Sequence, residues 1–272
     1  MNIENKKIGI IGTGNMGGIL VRGLITFMKL NSNTVYAADI DDKKLNALND
    51  QYKIRVYSNN NNLLKEVDIL LIAVKPQNIN KVLHEIAVQD KKYDLIISIA
   101  AGIETFFIEK SIGKKTPVIR VMPNICATVN AAISALCRGK YATSESIEIA
   151  KMIFESIGQA VEVKEELMDA VTGLSGSGPA YIFLIIEALS DAGVLLGLSR
   201  DISTLLAAQT TLGAAKMVLE TGLQPAALKN KVTSPGGTTI QGIHALEKHN
   251  LRAALMDAVK VATARSRELR KK

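Results

Sequence analysis

Lys7-Ile8-Gly9-Ile10-Ile11-Gly12-Thr13-Gly14-Asn15-Met16-Gly17 is the stretch that decides the fold. A short β-rich run, Lys7–Ile11, feeds a Gly-x-Gly-x-x-Gly turn, and residues 15–28 then carry the periodicity of a helix. Each glycine has its own task there. Gly12 permits the tight turn, Gly14 lets the backbone approach a pyrophosphate, and Gly17 lets the helix pack on the strand. Backbone N–H groups and the positive helix end take the phosphate charge. Thr13, Asn15 and Met16 belong to the same turn and are assigned with it to the dinucleotide, although the Met16 side chain itself reads as packing. The next strand-like run, Thr34–Asp39, ends on a carboxylate placed to accept from adenosine ribose hydroxyls. A Gly-rich turn with no ligand would not need that acidic partner.

Outward from this unit, strand and helix signals alternate. Asp42–Asn49 is helical, Val67–Val74 is a continuous apolar strand, Pro76 opens a helix, and Leu95–Ile99 and Val118–Met122 are further strands. Ala131–Leu136 and Ala160–Val163 flank a helix at Ser144–Ile157. Apolar strands separated by helices predict a parallel sheet covered on both faces. After about Val163 the strand signals stop, and helical periodicity continues with breaks at Gly176–Pro179, Gly197–Arg200, Gly222–Pro225 and Pro235–Gly237. The expected fold class is α/β: a Rossmann-like dinucleotide-binding domain over residues 1–163, followed by an all-helical domain over 164–272. The helical part is rich in Ala, Gly and Thr, as in residues 207–215, and its core would be thin alone. The stretches 178–198 and 201–220 are apolar on more than one face, which predicts burial against a second subunit in an obligate homodimer.

Two more Gly/Ser/Thr/Pro runs open onto apolar stretches. They are Thr172-Gly-Leu-Ser-Gly-Ser-Gly-Pro-Ala-Tyr181 and Ser234-Pro-Gly-Gly-Thr-Thr239. Both are expected to be helix N-termini with free N–H groups, ready for a small anion, and so to mark where a substrate is held.

The chain has 272 residues, with 47% hydrophobic and 22% charged, an ordinary globular composition. Its net charge is +7, and much of the excess lies in Arg265-Ser-Arg-Glu-Leu-Arg-Lys-Lys272. Those cations are not interleaved with aromatics and form no nucleic-acid motif, so a solvated helix end is the simpler reading and no nucleic-acid partner is expected. Cys126 and Cys137 sit in apolar surroundings and make no disulfide framework. Met1–Asn5 lacks a signal-peptide shape. Tyr181–Leu198, interrupted by Glu187 and Asp191, reads as a buried helix rather than a membrane span. No membrane partner and a cytoplasmic location are expected. His84, His244 and His249 have no metal-ligand spacing, so no metal is expected.

With these motifs in hand, the chain resembles the pyrroline-5-carboxylate reductases from Lys7 to Leu269. The marks are Ile11–Gly17, Ala73-Val-Lys-Pro-Gln77, Ser98-Ile-Ala-Ala-Gly102, Arg120-Val-Met-Pro-Asn124, Asp169–Tyr181 and Val232–Thr239. The last two are highly specific to that family, whereas the first is shared by many dehydrogenases. The resemblance implies reduction of the cyclic imine 1-pyrroline-5-carboxylate by NADPH or NADH, the last step of proline biosynthesis. It implies an interleaved homodimer through the helical half and further assembly of five dimers into a decamer. Carried over by motif, Asn59, Ala73, Val74, Lys75, Pro76, Ala100 and Ala101 line the cofactor, and Glu165, Ser234, Gly237, Thr238 and Thr239 hold the imino-acid substrate. Thr239 is the candidate catalytic group, hydrogen-bonding the ring nitrogen or relaying a proton through water.

Related hydroxyacid dehydrogenases place a Lys after the glycines that stand here as Gly173, Gly176 and Gly178. That position is Ile182. Alcohol oxidation needs a base for the hydroxyl proton and imine reduction does not, so the missing Lys disfavours alcohol chemistry. Asp39-Ile-Asp-Asp42 puts carboxylates where a 2′-phosphate would sit, which leans towards NADH, although Lys43 and Lys44 lie close by. Reduction of another cyclic imine acid and a non-catalytic dinucleotide-sensing scaffold are the alternatives.

Overall fold

The computed structural model describes residues 3–270; Met1, Asn2, Lys271 and Lys272, ends of the two terminal segments considered above, lie outside the described residues. In chain order the elements are β1 (Ile8–Ile11), α1 (Asn15–Arg22), β2 (Val35–Ala38), α2 (Asp42–Tyr52), β3 (Arg55–Tyr57), α3 (Asn60–Glu66), β4 (Ile69–Ile72), α4 (Ile79–Ala87), β5 (Leu95–Ser98), α5 (Thr105–Ile112), β6 (Val118–Met122), β7 (Ala132–Arg138), α6 (Ser144–Glu155) and β8 (Gly158–Glu162). The helices α7 (Met168–Val171), α8 (Gly178–Leu195), α9 (Arg200–Thr221), α10 (Pro225–Lys231), α11 (Thr238–Lys248) and α12 (Leu251–Arg270) complete the chain.

The strands form one eight-stranded sheet in the order β3-β2-β1-β4-β5-β6-β7-β8. Alternate residues of each strand feed opposite cores, as a period of two requires. Ile8, Ile10, Ile69, Leu71, Leu95 and Ile97 pack with Leu20, Val21 and Leu24 and with Ile153 and Phe154 of α6. Ile11, Leu70, Ile72 and Ile96 pack on the other face with α3 to α5 through Leu63, Leu64, Leu83, Ile86 and Ile108. The expected α/β class and covered sheet are present, with one difference. β7 runs antiparallel to β6, and β8 then runs parallel to β7. The link from Met122 to Ala132 is too short for a parallel crossover, which needs about a dozen residues.

The chain divides into two compact units, residues up to Gly176 with Ala262 onward, and Ser177–Val261. The boundary expected at residue 163 therefore moves. Met168 packs with Ala135 and Cys137, and Asp169 accepts from Ser266 Oγ at 2.7 Å, so Glu165–Gly176 and the end of α12 belong with the sheet.

In the second unit α8 and α9 pack closely around Gly193, where a Cβ would overlap the Ser203 hydroxyl. Ser203 Oγ donates to Ser190 O at 2.6 Å, and Arg200 Nη1 reaches Ser190 Oγ at 3.0 Å and Asp191 Oδ1 at 2.6 Å. Gly197, at φ +97°, turns the chain between the two helices. The expectation of a buried helix over Tyr181–Leu198 does not hold within one chain, because Ser190 is the one buried residue of α8. Phe183, Leu184, Leu205 and Leu219 are each more than 60% exposed. By length and composition alone, residues 165–195 and 200–221 are long and apolar enough to cross a membrane.

Candidate active site

The turn after β1 separates what the protein needs from what a ligand needs. Gly12 has φ +95°, and a Cβ there would meet Ala73 O at 2.7 Å. At Gly17 a Cβ would overlap the Gly12 carbonyl oxygen. Gly14 differs: its φ of −63° and ψ of −168° suit any residue, and a Cβ would meet nothing within 4 Å. The space beside Gly14 is open, and no side chain caps the α1 N-terminus there. This cradle fits a pyrophosphate approaching the backbone, with the helix end favouring its charge.

Asp39 follows β2 and is tied to the same turn. Its Oδ2 accepts from Thr13 N at 2.5 Å and Thr13 Oγ1 at 2.9 Å, and its Oδ1 accepts from Asp41 N at 3.1 Å. Burial pushes the Asp39 carboxyl upward, but the bonds from Thr13 and Asp41, with Lys44 nearby, outweigh it and hold the group below its ordinary value. Lys44 Nζ in turn pairs with Asp41 Oδ2 at 3.2 Å.

The remaining residues assigned to the cofactor follow the carboxyl ends of β3, β4 and β5. Asn59 caps α3, accepting from Asn61 N at 2.8 Å. Ala73 N donates to Ile11 O at 2.8 Å, Val74 is half-buried, and Lys75 and Pro76 are exposed as a 3-10 turn opens. Ala100 is buried at 2% exposure and can offer only its backbone, while Ala101 is exposed. The sheet therefore gathers Gly12–Gly17, Asp39, Asn59, Ala73–Pro76 and Ala100–Ala101 along one edge. They flank the point where β1 lies between β2 and β4, where open α/β sheets bind ligands.

Both runs expected to be helix starts contain one, at Gly178 for α8 and at Thr238 for α11. Gly236 takes φ +68°, Gly237 N donates to Ser234 O at 3.1 Å, and Gly237 then opens α11 with no side-chain cap. A Cβ on Gly237 would overlap Ser234 Oγ, so the hydroxyl lies over the helix start. The first-turn N–H groups at Thr238 and Thr239 are thus left for an anion. The run from Thr172 begins as a π turn, Thr172–Gly176, continuing from α7, and α8 then starts at Gly178 after Ser177, with Pro179 in its first turn and no side-chain cap. Its hydroxyls bond back to the helix, Thr172 Oγ1 to Met168 O at 2.9 Å and Ser175 Oγ to Val171 O at 3.1 Å. Local back-bonding serves Ser and Thr inside a helix as capping serves them at its start, so composition alone did not show that a π turn precedes the start of α8.

Glu165 sits in the first unit with both oxygens engaged. It accepts from Thr105 N at 2.8 Å, from Thr105 Oγ1 at 2.6 Å and from the buried Arg120 Nη1 at 3.3 Å. The sequence reading passed over Asn124 and Arg120, although both lie in its quoted motif. Asn124 Nδ2 donates to Ser175 O at 3.1 Å and steadies the π turn. Cys137 is buried, and burial, with Glu165 adding to it, pushes its thiol up to about 12. Among the described residues no group of three or more His, Cys, Asp or Glu is placed to hold a metal ion.

A phosphate-cradling turn, an acidic residue after β2 and a separate helical unit define a nicotinamide-dependent oxidoreductase of the Rossmann type. Family models agree: one described as NADP oxidoreductase coenzyme F420-dependent matches residues 7–102, and one described as pyrroline-5-carboxylate reductase dimerisation matches 165–269. The chain is 50% identical to the pyrroline-5-carboxylate reductase of Methanosarcina acetivorans, across 99% of this chain and 100% of that protein. The chain belongs to the pyrroline-5-carboxylate reductase family. Among solved structures it resembles the Coxiella burnetii pyrroline-5-carboxylate reductase with a TM-score of 0.92 at 37% identity, covering 97% of this chain and 98% of that one. It resembles the Plasmodium falciparum pyrroline carboxylate reductase, solved with NADP bound, with a TM-score of 0.85 at 33% identity, covering 98% and 99%.

Proposed function

We infer that this protein reduces 1-pyrroline-5-carboxylate to proline with NAD(P)H, the closing step of proline biosynthesis. The observation that carries the chemistry, beside the family relationship, is the uncapped start of α11 beneath Ser234. The substrate carboxylate takes the N–H groups of Thr238 and Thr239, Gly237 lets it approach the backbone, and Ser234 Oγ donates to it. Thr239 Oγ1 hydrogen-bonds the ring nitrogen. The reduced nicotinamide supplies the hydride, which adds to the imine carbon while the nitrogen keeps or takes a proton, leaving a secondary amine. Protonation makes that carbon a better acceptor, and a hydroxyl is too weak an acid to do more than orient and polarise. Glu165 supports the site through Thr105 and Arg120; with its oxygens so engaged, direct substrate contact is the weaker assignment.

For the cofactor we propose that NADH serves at least as well as NADPH. Asp39 and Asp41 follow the end of β2 with carboxylates, and Asp41 already pairs with Lys44. For assembly we propose a homodimer through α8 and α9, with a decamer of five dimers as the higher form.

The test is the decay of nicotinamide absorbance with each cofactor when pyrroline-5-carboxylate is added. Decay is expected with both cofactors, with NADH at least equal in kcat/KM. No decay with either would overturn the catalytic reading in favour of a dinucleotide-sensing scaffold. Faster turnover of a six-membered cyclic imine acid would reassign the substrate, and a clear NADPH preference would overturn the role given to Asp39 and Asp41.

A further inference from the structure

The loop between β5 and α5 carries Ala100 and Ala101, which the proposed reading sets against the cofactor. Its centre is three small residues, Ala100-Ala101-Gly102. Side chains from far along the sequence hold its end. Arg270, on the last turn of α12, reaches Glu104 Oε1 at 3.0 Å and Asp169 Oδ2 at 3.5 Å. Asp169 is 2% exposed, and its other oxygen accepts from Ser266 Oγ at 2.7 Å, one turn back on α12. Glu104 stands at the N-cap of α5 but makes no capping bond, because it turns to Arg270 and leaves Thr105 N to Glu165. Between them Gly102 takes φ +75°, and a Cβ there would lie 3.8 Å from Arg270 Cα, so loop and helix end are in van der Waals contact.

A buried carboxylate needs a partner, and the partner chosen here also grips the loop. We propose that Arg270 is a positioning residue: with Glu104 and Asp169 it fixes the Ala100–Glu104 loop in the conformation that receives the reduced dinucleotide. An Ala-Ala-Gly loop left free would have to be ordered on binding, and ordering it beforehand removes that cost from the affinity. The proposal rests on the reading that this loop lines the cofactor.

The test measures NADH affinity of the full chain by nicotinamide fluorescence, without imine substrate, beside melting temperature and steady-state kinetics. Arg270→Met loses both partners and is expected to weaken NADH binding about five- to tenfold, with kcat at saturating cofactor within about twofold. Arg270→Lys should recover part of the loss. Glu104→Gln breaks the bridge at a half-exposed group without stranding a buried charge, and should weaken binding about two- to fivefold with little change in melting temperature. If Arg270→Met fails to fold, Glu104→Gln decides alone. Wild-type affinity in Glu104→Gln, with only stability altered in the Arg270 variants, overturns the proposal. Absence of NADH binding by the wild-type protein would instead remove the cofactor reading beneath it, and the proposal with it.

Discussion

Gly14 and Gly17 share a motif but answer to different neighbours. A side chain at Gly17 strikes the Gly12 carbonyl, whereas one at Gly14 enters open space. Gly17→Ala should therefore destabilise the fold by about 1–3 kcal/mol, the usual cost of overpacking. Gly14→Ala should leave the melting temperature nearly unchanged and weaken NAD(P)H binding at least tenfold, roughly 1.4 kcal/mol or more. Thermal melts beside fluorescence titrations check the pair, and equal stability losses would show that both glycines serve packing. At the other half of the chemistry, Thr239 is assigned the ring nitrogen. A hydrogen bond to a charged group is worth about 1.5–3 kcal/mol, so Thr239→Val should lower kcat/KM for the imine roughly ten- to a hundredfold rather than abolish it. NADH affinity should hold, since the β1 turn is untouched. Full efficiency in Thr239→Val would send the search for the nitrogen's partner to water or another group.

At the scale of elements, what was legible in the sequence was what has a period or an end signal. β1, β4 and β5 are four-residue runs, apolar except for Ser98, buried on both faces, and they read directly as parallel strands. β3 was missed because Arg55–Tyr57 is a three-residue edge strand that is only half covered and carries no apolar run. The reversal of β7 lies in loop length rather than in strand composition, and the π turn at Thr172–Gly176 borrows the residues of a helix start. Buried groups at element ends also set a pH limit. Tyr93, which precedes β5, donates to Leu64 O near the end of α3 at 3.1 Å, and burial pushes its phenol up to about 12. Cys137 on β7 is raised to about 12 as well. Both folded values lie above the ordinary 10.0 and 9.0, so the neutral forms belong to the folded state. Their contribution is whole below about pH 9 and is lost as pH climbs towards about 12. Melting temperature should fall steadily from pH 9 upward. Tyr93→Phe should flatten part of that fall while costing about 1 kcal/mol at neutral pH through the unpaired Leu64 carbonyl. A Tyr93→Phe protein with the wild-type alkaline slope would remove Tyr93 from this account.

For the whole molecule the question is what covers α8 and α9. Within one chain they pack on each other through Ser190, Ser203 and Gly193, yet they leave Phe183, Leu184, Leu205, Leu206, Leu212 and Leu219 more than half exposed. Burying one such side chain fully is worth about 1.5–3 kcal/mol, so covering this surface is worth an amount comparable to a domain's net stability of about 5–15 kcal/mol. A lipid bilayer is a poor cover, because Glu187 and Asp191 lie within α8 and a charged side chain near the bilayer centre costs about 2.5–3.5 kcal/mol. A second copy of the same helices can leave those charges at its rim and bury the leucines, which suits the family model for dimerisation that spans residues 165–269. The detergent-free protein should therefore sediment as a dimer or a multiple of it down to nanomolar concentration. Its melting temperature should rise with protein concentration, as linked folding and association require. Leu205→Glu puts a charge into that surface and should yield aggregated or unfolded chains rather than a well-behaved monomer, whereas Lys216→Glu at the rim should leave assembly intact. A stable, active monomer at low concentration, or flotation of the wild-type protein with neutral phosphatidylcholine vesicles, would show that something other than a second chain covers these helices.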